Sequence, residues 1–275
     1  VTGEISWLAG SAGDYSVTVE AVNTEGTDTQ SFTLGVSEPP LCPTEMISYW
    51  KLDETVSGSY ADFYDGNDGA CAGSCPTPSS GQVGGAQTFN GSTTGIDVPA
   101  DPAFDWAADD SFAIEFWMRR DGPIGTHNPN DNEVIVGRDE NHVLHWWFGV
   151  HNTDGKAHFQ LGSRDNSSGD YVVLQGPAVN DGDWHHLVGV RDESAGMNRL
   201  YVDGVEVDSA AHTYKAGFDG GSAPLNLGWL NLSDGFHYEG ELDEVALYDR
   251  SLSAVEVVQH YQNGLSGLGY CEEPV

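Results

Sequence analysis

The stretch Leu200-Tyr-Val-Asp-Gly-Val-Glu-Val207 decides the class of fold. Apolar and polar residues alternate on both sides of Asp203-Gly204, and an Asp-Gly pair between alternating segments is typical of a two-residue β-hairpin turn. Many short antiparallel strands separated by turn residues indicate a β-sandwich or barrel. Strand-like segments occur along most of the chain, at Phe112–Met118, Glu133–Val136, His142–Val150, Ala157–Leu161, Tyr171–Leu174, Trp184–Arg191 and Arg199–Val207.

One late segment predicts a short C-terminal helix. Ser253 is a favourable N-cap residue, and Glu256 three positions later completes a capping box. Gly264 is placed to end the helix, so we expect it to run from Ser253 to about Asn263. Its expected apolar face consists of Ala254, Val257, Val258 and Tyr261.

The charge of the chain limits its partners. The 275 residues include 10 Lys and Arg against 43 Asp and Glu, a formal net charge of −33. Nucleic acids and anionic membrane surfaces both require basic partners, so neither is expected to bind. No apolar run approaches the roughly 18 residues that a membrane-spanning helix needs. The surplus of acids is compatible with divalent cations or with solubility alone.

The chain contains four cysteines, Cys42, Cys71, Cys75 and Cys271. Four cysteines allow three different sets of two disulfides. Cys71 and Cys75 lie in one small-residue loop and can close it locally. Cys42 and Cys271 flank nearly everything between them, and in the chain-entropy model a long closed loop stabilises most. We expect Cys71–Cys75 and Cys42–Cys271, which indicates an oxidising compartment. The alternative is free or metal-binding thiols.

The N-terminal residues have a strand pattern that resembles a different family of domains. Tyr15, Val17 and Val19 alternate with polar residues, a turn follows at residues 23–26, and Phe32 and Leu34 continue the alternation. This pattern resembles the C-terminal part of bacterial putative-Ig, cadherin-like repeats. We therefore divide the chain into a partial Ig-like repeat at 1–38, a Pro-rich linker at 39–43 and a large β-domain at 44–271.

Short motifs in the large β-domain follow one another in a specific order. They are Tyr49-Trp-Lys-Leu-Asp-Glu54, Gly84-Gly-Ala-Gln-Thr-Phe-Asn-Gly91, Ser111-Phe-Ala-Ile-Glu-Phe-Trp117, Asp181-Gly-Asp-Trp-His-His-Leu-Val188, Leu200-Tyr-Val-Asp-Gly204 and Gly240-Glu-Leu-Asp-Glu-Val-Ala-Leu-Tyr-Asp249. The set resembles the laminin-G-like, concanavalin A-like jelly-roll family. The resemblance implies an all-β fold of two antiparallel sheets packed face to face, which binds glycans or proteins and often carries calcium.

The resemblance also implies positions for a structural Ca²⁺ ion. The matching residues are Asp53 or Asp62 near the first strand, the carbonyl of Gly91, and Asp243 in the last strand. Calcium takes six to eight oxygen ligands, and carboxylates and carbonyls supply them. Asp243 shares a strand face with Val245, and an aspartate on a largely buried face needs a partner. The alternative is that backbone N–H groups or an arginine satisfy these carboxylates.

The acidic residues do not predict catalysis. A glycosidase of this fold class needs two carboxylates at a defined separation. Glu241 and Asp243 share a face but fall in the family's structural last strand, and Glu115 has no second acid at i+2 or i+4. No nucleophile elbow, P-loop or His-Glu-x-x-His motif is present. We expect a non-enzyme, with a glycoside hydrolase or lyase as the weaker alternative.

Aromatic residues are the candidate ligand contacts, because sugar faces stack on aromatic rings. Trp146 and Trp147 are adjacent on a strand, so at most one of them faces outward. Trp229 and His237 could add a loop surface. Core packing is the alternative for all four. His185 and His186, also adjacent, point to opposite faces and therefore cannot easily share one metal ion.

Two functions follow. The first is an extracellular recognition or adhesion domain of a secreted or cell-surface bacterial protein, calcium-stabilised, whose partner is a glycan or a surface protein. The second is a structural subunit of a surface fibre or adhesin. In that case the incomplete Ig-like strands would pair with other copies of the chain, because an open strand edge is a template for strand addition.

Overall fold

The N-terminal unit of the chain, Val1–Pro43, contains a long β-hairpin. The structure is a computed structural model that describes residues 13–36, 42–123, 132–140, 144–165, 168–232 and 235–271. Strands β1 (Gly13–Asn23) and β2 (Gly26–Val36) pair antiparallel along their whole length. The register places Tyr15 opposite Leu34 and Val17 opposite Phe32, and Phe32 and Leu34 are 50% and 40% exposed. Most of the predicted linker at 39–43 lies outside the described residues.

The second unit, Thr44–Val275, is a two-sheet sandwich, as the sequence predicts. We call its first sheet the helix-side sheet, since the helix packs on its outer face. In spatial order its strands are β16 (Val205–Ala211), β15 (Met197–Val202), β14 (Asp181–Asp192), β9 (Phe112–Asp121), β18 (Glu239–Tyr248), β7 (Gly85–Asn90) and β6 (Thr77–Ser80), with β3 (Met46–Trp50) also paired to β18.

We call the second sheet the far sheet. In spatial order its strands are β13 (Tyr171–Ala178), β12 (Lys156–Gly162), β11 (Leu144–Val150), β10 (Glu133–Glu140), β17 (Leu225–Leu227), β8 (Ile96–Val98), β5 (Gly69–Cys71) and β4 (Ser59–Tyr60). All the named neighbours pair antiparallel in both sheets. The start of the predicted strand at His142 lies outside the described residues.

The core fills the space between the two sheets. Alternation along each strand sends one set of side chains inward, where they form a continuous apolar cluster. Aromatic rings dominate one end of it: Trp106 stacks on Phe112 with ring centroids 4.1 Å apart, and Phe218 meets Phe112 edge to face at 5.2 Å. The sandwich therefore has a largely apolar interior and two outer faces.

The predicted helix forms as α1 (Ala254–Leu265), with Ser253 as N-cap and a complete capping box to Glu256. Two details differ from the prediction. Ala254 and Val258 are exposed, and the buried positions include His260 instead. The helix also continues through Gly264 and ends at Leu265. A Cβ at Gly264 would lie 2.4 Å from the Trp117 ring, so this glycine permits close packing. No helix in the described part of the chain is long and apolar enough to cross a membrane.

The cysteines are oxidised. Cys71 and Cys75 form the predicted local disulfide, with Cα atoms 4.9 Å apart. Cys42 and Cys271 are also disulfide-bonded. Their pairing with each other stays a prediction.

Candidate functional site

The outer face of the far sheet carries a row of polar and aromatic side chains. Because the inner row of Ile96, Leu227 and Val136 faces the core, the neighbouring positions face outward. The strand register aligns these outward residues across six strands, as Asp97, Asn226, Gly137, Trp147, Gln160 and Val173.

The two adjacent tryptophans separate as the alternation requires. Trp146 points into the core and its ring lies 5.9 Å from that of Trp106, so it belongs to the core and not to a binding surface. Trp147 faces outward but is only 3% exposed, because Leu230 packs against it. Its ring also stacks on His158 with centroids 4.3 Å apart. Neither ring face is available to a ligand.

Trp229 and His237 lie together beside the same row. Their rings stack with centroids 5.9 Å apart, and both side chains are half-buried. The Trp229 ring rests on Gly95, where a Cβ would come within 2.3 Å of it. Trp229 Nε1 donates a hydrogen bond of 3.1 Å to Asp97 Oδ1. The predicted loop surface therefore has a fixed aromatic platform.

A carboxylate and an amide lie next to that platform. Asn226 Nδ2 donates to Asp97 Oδ1 at 2.8 Å, and Asn226 Oδ1 accepts from the Asn231 backbone N–H at 3.0 Å. The pKa of Asp97 is raised, because burial outweighs the opposite effect of the hydrogen bonds from Asn226 and Trp229. We call Asp97, Asn226, Trp229 and His237 the Trp229 site. Asn226 is fully buried and positions Asp97, so the half-buried Trp229 ring and the Asp97 carboxylate are the groups that can meet a polyhydroxylated ligand, which needs both a stacking surface and hydrogen-bond acceptors.

Sequence reasoning missed Asp97 and Asn226. Each is the polar centre of a three-residue strand, Ile96-Asp-Val98 and Leu225-Asn-Leu227. The apolar-polar-apolar pattern was a usable signal that both residues point outward. Their pairing was not visible, since 129 positions separate them.

The predicted calcium residues do not all meet. Asp62 accepts hydrogen bonds from the backbone N–H groups of Tyr49, Tyr64 and Asn67, at 2.8, 2.9 and 3.1 Å, so it organises its own loop. Gly91 follows Asn90, which pairs with Glu239. Four residues along β18 separate Glu239 from Asp243, a distance of about 13 Å. One ion could not contact both Gly91 and Asp243.

Asp53 and Asp243 do approach each other, at the turn between β6 and β7. Asp243 is buried, and its Oδ2 accepts from the Val83 backbone N–H at 2.9 Å. Its Oδ1 has no hydrogen-bond partner in the described residues. Burial raises the pKa of Asp243 to about 9, and Glu244 and Asp53 add to the effect. Asp53 accepts from the Gly85 N–H.

The turn between β6 and β7 offers some, but not all, of the oxygen ligands that a hard cation needs. A Cβ on Gly81 would lie 2.1 Å from the Gly85 carbonyl oxygen and 2.5 Å from Asp243 Oδ2, so both oxygens line one small space. Carboxylate and carbonyl oxygens are what Ca²⁺ prefers. The described residues nevertheless contain no cluster of three or more His, Cys, Asp or Glu that could hold a metal. Any ion here would depend on Asp53, Asp243 and backbone carbonyls.

A second polar cluster lies beneath α1. Glu115 is buried between His260 and His186: His260 Nδ1 lies 2.9 Å from Oε1 and His186 Nε2 lies 3.1 Å from Oε2. Burial would raise the pKa of Glu115, but His260 and His186 lower it to about 2. Tyr248 donates to the same carboxylate. This ionised, enclosed group links the helix to the sheet.

The other residues considered as catalytic or metal-binding candidates form ion pairs or hydrogen bonds with neighbouring side chains. Glu241 forms an ion pair with Arg119 at 2.9 Å. His185 lies on the opposite side of its strand from His186 and contacts Asp203 and Asp181, at 2.8 and 3.0 Å. The hydrogen bond with Asp203 is the main reason that the pKa of His185 rises to about 9.

Comparison with known proteins identifies the relatives. The family model described as the Concanavalin A-like lectin/glucanases superfamily matches residues 90–258, more than half of the chain. No curated protein sequence matches. Among solved structures, domain 4 of AbnA, a GH43 extracellular arabinanase from Geobacillus stearothermophilus in complex with arabinotriose, is similar at TM-score 0.57 and 20% identity, covering 78% of this chain and 97% of that one.

Two toxin domains are also similar. The binding domain of Paraclostridial Mosquitocidal Protein 1 matches with TM-score 0.61 and 17% identity, over 79% of this chain and 52% of that one. The botulinum neurotoxin serotype G binding domain matches with TM-score 0.57 and 16% identity, over 74% and 48%. The present chain thus spans about half the length of these toxin domains. At such identities the likeness shows the fold alone.

Proposed function

Because this chain belongs to the concanavalin A-like lectin/glucanase superfamily, we propose that it is a non-catalytic recognition domain that binds a glycan at the Trp229 site. The observation that carries the proposal is the Trp229 ring fixed on Gly95, with its indole N–H held by Asp97 next to Asn226. The fixed ring needs no further ordering when a sugar stacks on it, which favours affinity.

The names of the structural neighbours support a recognition role. One of them is an arabinanase domain in complex with arabinotriose, and two are toxin binding domains. The net charge of −33 disfavours sulfated or uronate-rich glycans, since like charges repel. We therefore favour a neutral oligosaccharide over an acidic one.

The test is a glycan-array screen followed by titration calorimetry with the best neutral ligand. We expect Trp229→Ala to weaken binding at least about tenfold, equivalent to about 1.4 kcal/mol. Asp97→Ala should weaken it similarly, whereas the matched control Trp184→Ala should not, because half-buried Trp184 lies on the helix-side sheet beside Arg119. Equal affinity of the Trp229→Ala variant for the same ligand would contradict the proposal.

We further propose that the domain is extracellular and stabilised by calcium at Asp53 and Asp243. The oxidised state of all four cysteines supports an oxidising compartment. The buried Asp243 Oδ1 atom, which lacks a hydrogen-bond partner within the described residues, supports a cation. When bound, the ion would supply charge neutralisation at the β6–β7 turn.

A second candidate function is assembly through the N-terminal hairpin, as part of a fibre or adhesin. The exposed Phe32 and Leu34 side chains on one hairpin face favour it, because isolated two-stranded hairpins are marginally stable in water. The Ig-like character of this unit belongs to the same proposal. Deleting residues 1–37 and measuring the oligomeric state tests it: an unchanged state would remove the assembly function.

A further inference from the structure

Arg191 is an exception among the arginines of this chain. The other six each have a carboxylate oxygen within 4.0 Å; the pairs are Arg119–Glu241, Arg120–Glu133, Arg138–Asp105, Arg164–Glu140, Arg199–Glu206 and Arg250–Glu256. Arg191 has no such partner among the described residues, although acids outnumber bases 43 to 10 in the sequence. It is also only 2% exposed.

The side chain of Arg191 points between the two sheets. On β14, Leu187 lies in the core and a Cβ on Gly189 would touch the Phe159 ring, so Arg191 two residues later faces inward as well. It lies opposite Phe112 on β9 and opposite Asn198 on β15. A guanidinium in this position has lost most of its hydration, which is costly for an ion without a counter-charge.

The contacts of Arg191 do not supply that counter-charge. Its Nη1 donates to the Asp192 carbonyl at a long 3.4 Å, and the guanidinium lies 5.2 Å from the Tyr214 ring centroid. Its Nε is buried and has no partner within the described residues. Tyr214 is not an anion at neutral pH, because burial raises the pKa of its hydroxyl well above its ordinary value.

Two acidic residues associated with Arg191, Asp170 beside Tyr214 and the adjacent Asp192, hydrogen-bond to other groups. Asp170 accepts from Ser163 Oγ, from His212 Nε2 at 2.9 Å and from the Lys215 backbone N–H at 2.9 Å. The Asp192 side chain accepts from Ser194 and Ala195, at 2.8 and 3.1 Å. Neither carboxylate forms an ion pair with Arg191, so no described residue supplies the counter-charge.

The end of the core into which Arg191 points contains further unsatisfied donors. Trp106 Nε1, Trp146 Nε1 and Arg138 Nη2 are also buried without hydrogen-bond partners among the described residues. These groups are connected through the aromatic end of the core: Trp106 stacks on Phe112, which lies opposite Arg191, and Trp146 lies opposite Arg138. Such N–H groups in an apolar setting favour an anion and disfavour a cation.

We propose that Arg191 binds a small monovalent anion, such as chloride, between the two sheets. The burial of Arg191 limits the ligand to a small ion, and the lone guanidinium limits its charge to one. The ion would act as an internal counter-charge that links β14 to the aromatic end of the core. This site is independent of the Trp229 site and of the calcium proposal.

Bromide replacement tests the proposal in the full chain. Crystals of the wild-type protein grown in sodium bromide should show an anomalous-scattering peak in contact with the Arg191 guanidinium. A peak at half-buried Arg199 alone would identify an adventitious ion. No peak beside Arg191, or ordered water without anomalous signal there, would overturn the proposal.

Thermal unfolding provides the second measurement. A ligand that binds only the native state stabilises it logarithmically with concentration, so the Tm of the wild type should rise by about 3–6 °C per tenfold increase in chloride above Kd, at constant ionic strength with gluconate as the other anion. Arg199→Met, the matched control on the neighbouring strand, should keep this response and Arg191→Met should lose it. An identical response in Arg191→Met would overturn the proposal; if that variant does not fold, the bromide experiment decides.

Discussion

Glu115 and Asp243 are both removed from solvent on neighbouring strands of the helix-side sheet, yet they are expected to carry different charges. Glu115 has two imidazoles beside it, which lower its pKa to about 2 despite burial. Asp243 has the backbone N–H groups of Val83 and Gln82, a second acid at Glu244 and no basic partner among the described residues, and burial raises its pKa to about 9. The partner, and not the depth of burial, decides whether a buried carboxylate is ionised.

The difference also separates two kinds of site. The Glu115 cluster brings its own counter-charge from α1 and β14, so it is a complete structural element. The Asp243 carboxylate is complete only with a proton or a cation. The following predictions test this contrast.

Removing the Glu115 carboxylate should have the largest effect. Glu115→Ala breaks a buried ion pair and leaves His260 and His186 without an acceptor, so we expect the free energy of unfolding to fall by about 3–5 kcal/mol. Urea unfolding monitored by fluorescence measures it. Glu241→Ala, whose partly exposed ion pair with Arg119 lies on the same sheet, is the control and should change stability by about 0–1 kcal/mol. Equal effects of the two substitutions would contradict the contrast.

Calcium should act on Asp243 and not on Glu115. We expect saturating Ca²⁺, at about 100 times Kd, to stabilise the wild type by about 2.7 kcal/mol, and EGTA to reverse the effect. Asp243→Asn should abolish the calcium response, while Asp62→Asn should keep it, because Asp62 is occupied by three backbone N–H groups. A wild-type melting temperature unaffected by EGTA, together with no bound ion in elemental analysis, would eliminate calcium.

Gly264→Ala tests how α1 encloses the Glu115 cluster. Alanine favours a helix over glycine by up to about 1 kcal/mol, but its Cβ would lie 2.4 Å from the Trp117 ring. We expect the overlap to dominate and stability to fall by about 1–3 kcal/mol, as is typical of overpacking. Gln262→Ala, on the exposed side of the same helix, controls for propensity. A stabilised Gly264→Ala variant would show that the helix can shift away from the sheet.

The sequence allowed prediction of what depends on local patterns. Alternation identified the strands, Asp203-Gly204 identified a hairpin, and Ser253 with Glu256 identified the start of α1. The separation of Trp146 from Trp147 followed from the same period of two, although it did not reveal that Leu230 covers Trp147.

The remaining features depend on contacts between distant segments. His260 and Glu115 are 145 positions apart, and nothing local to either residue indicates the pair. Gly91 was carried over from the family pattern, but its distance from Asp243 is set by the register of β7 on β18. The burial of a side chain also depends on contacts between distant segments. In the sequence, Arg191 is indistinguishable from any other arginine at the end of a strand.

The smallest predicted effect is a pH dependence of the Glu115–His260 pair. Burial lowers the pKa of His260 but Glu115 raises it further, so the net shift is upward. A raised histidine pKa contributes stability that is fully present below about pH 6.5 and is lost as the pH rises through the folded-state pKa. The lowered pKa of Glu115 contributes stability that is present above its ordinary value and is lost as the pH falls towards about 2.

The pair should therefore stabilise most between about pH 4.5 and 6.5. The titratable and charged groups that act on His260 are Glu115, Glu256 and Arg250, and His186, Tyr248 and Tyr270 share the cluster. His260→Gln should lower the free energy of unfolding by about 1–2 kcal/mol at pH 6. The decrease should be smaller at pH 9, where wild-type His260 is increasingly neutral. Melting curves from pH 5 to 9 test this, with His237→Gln as control. Parallel pH profiles for the wild type and His260→Gln would show that the charge on His260 does not stabilise the helix, and that hydrogen bonding alone holds α1 on Glu115.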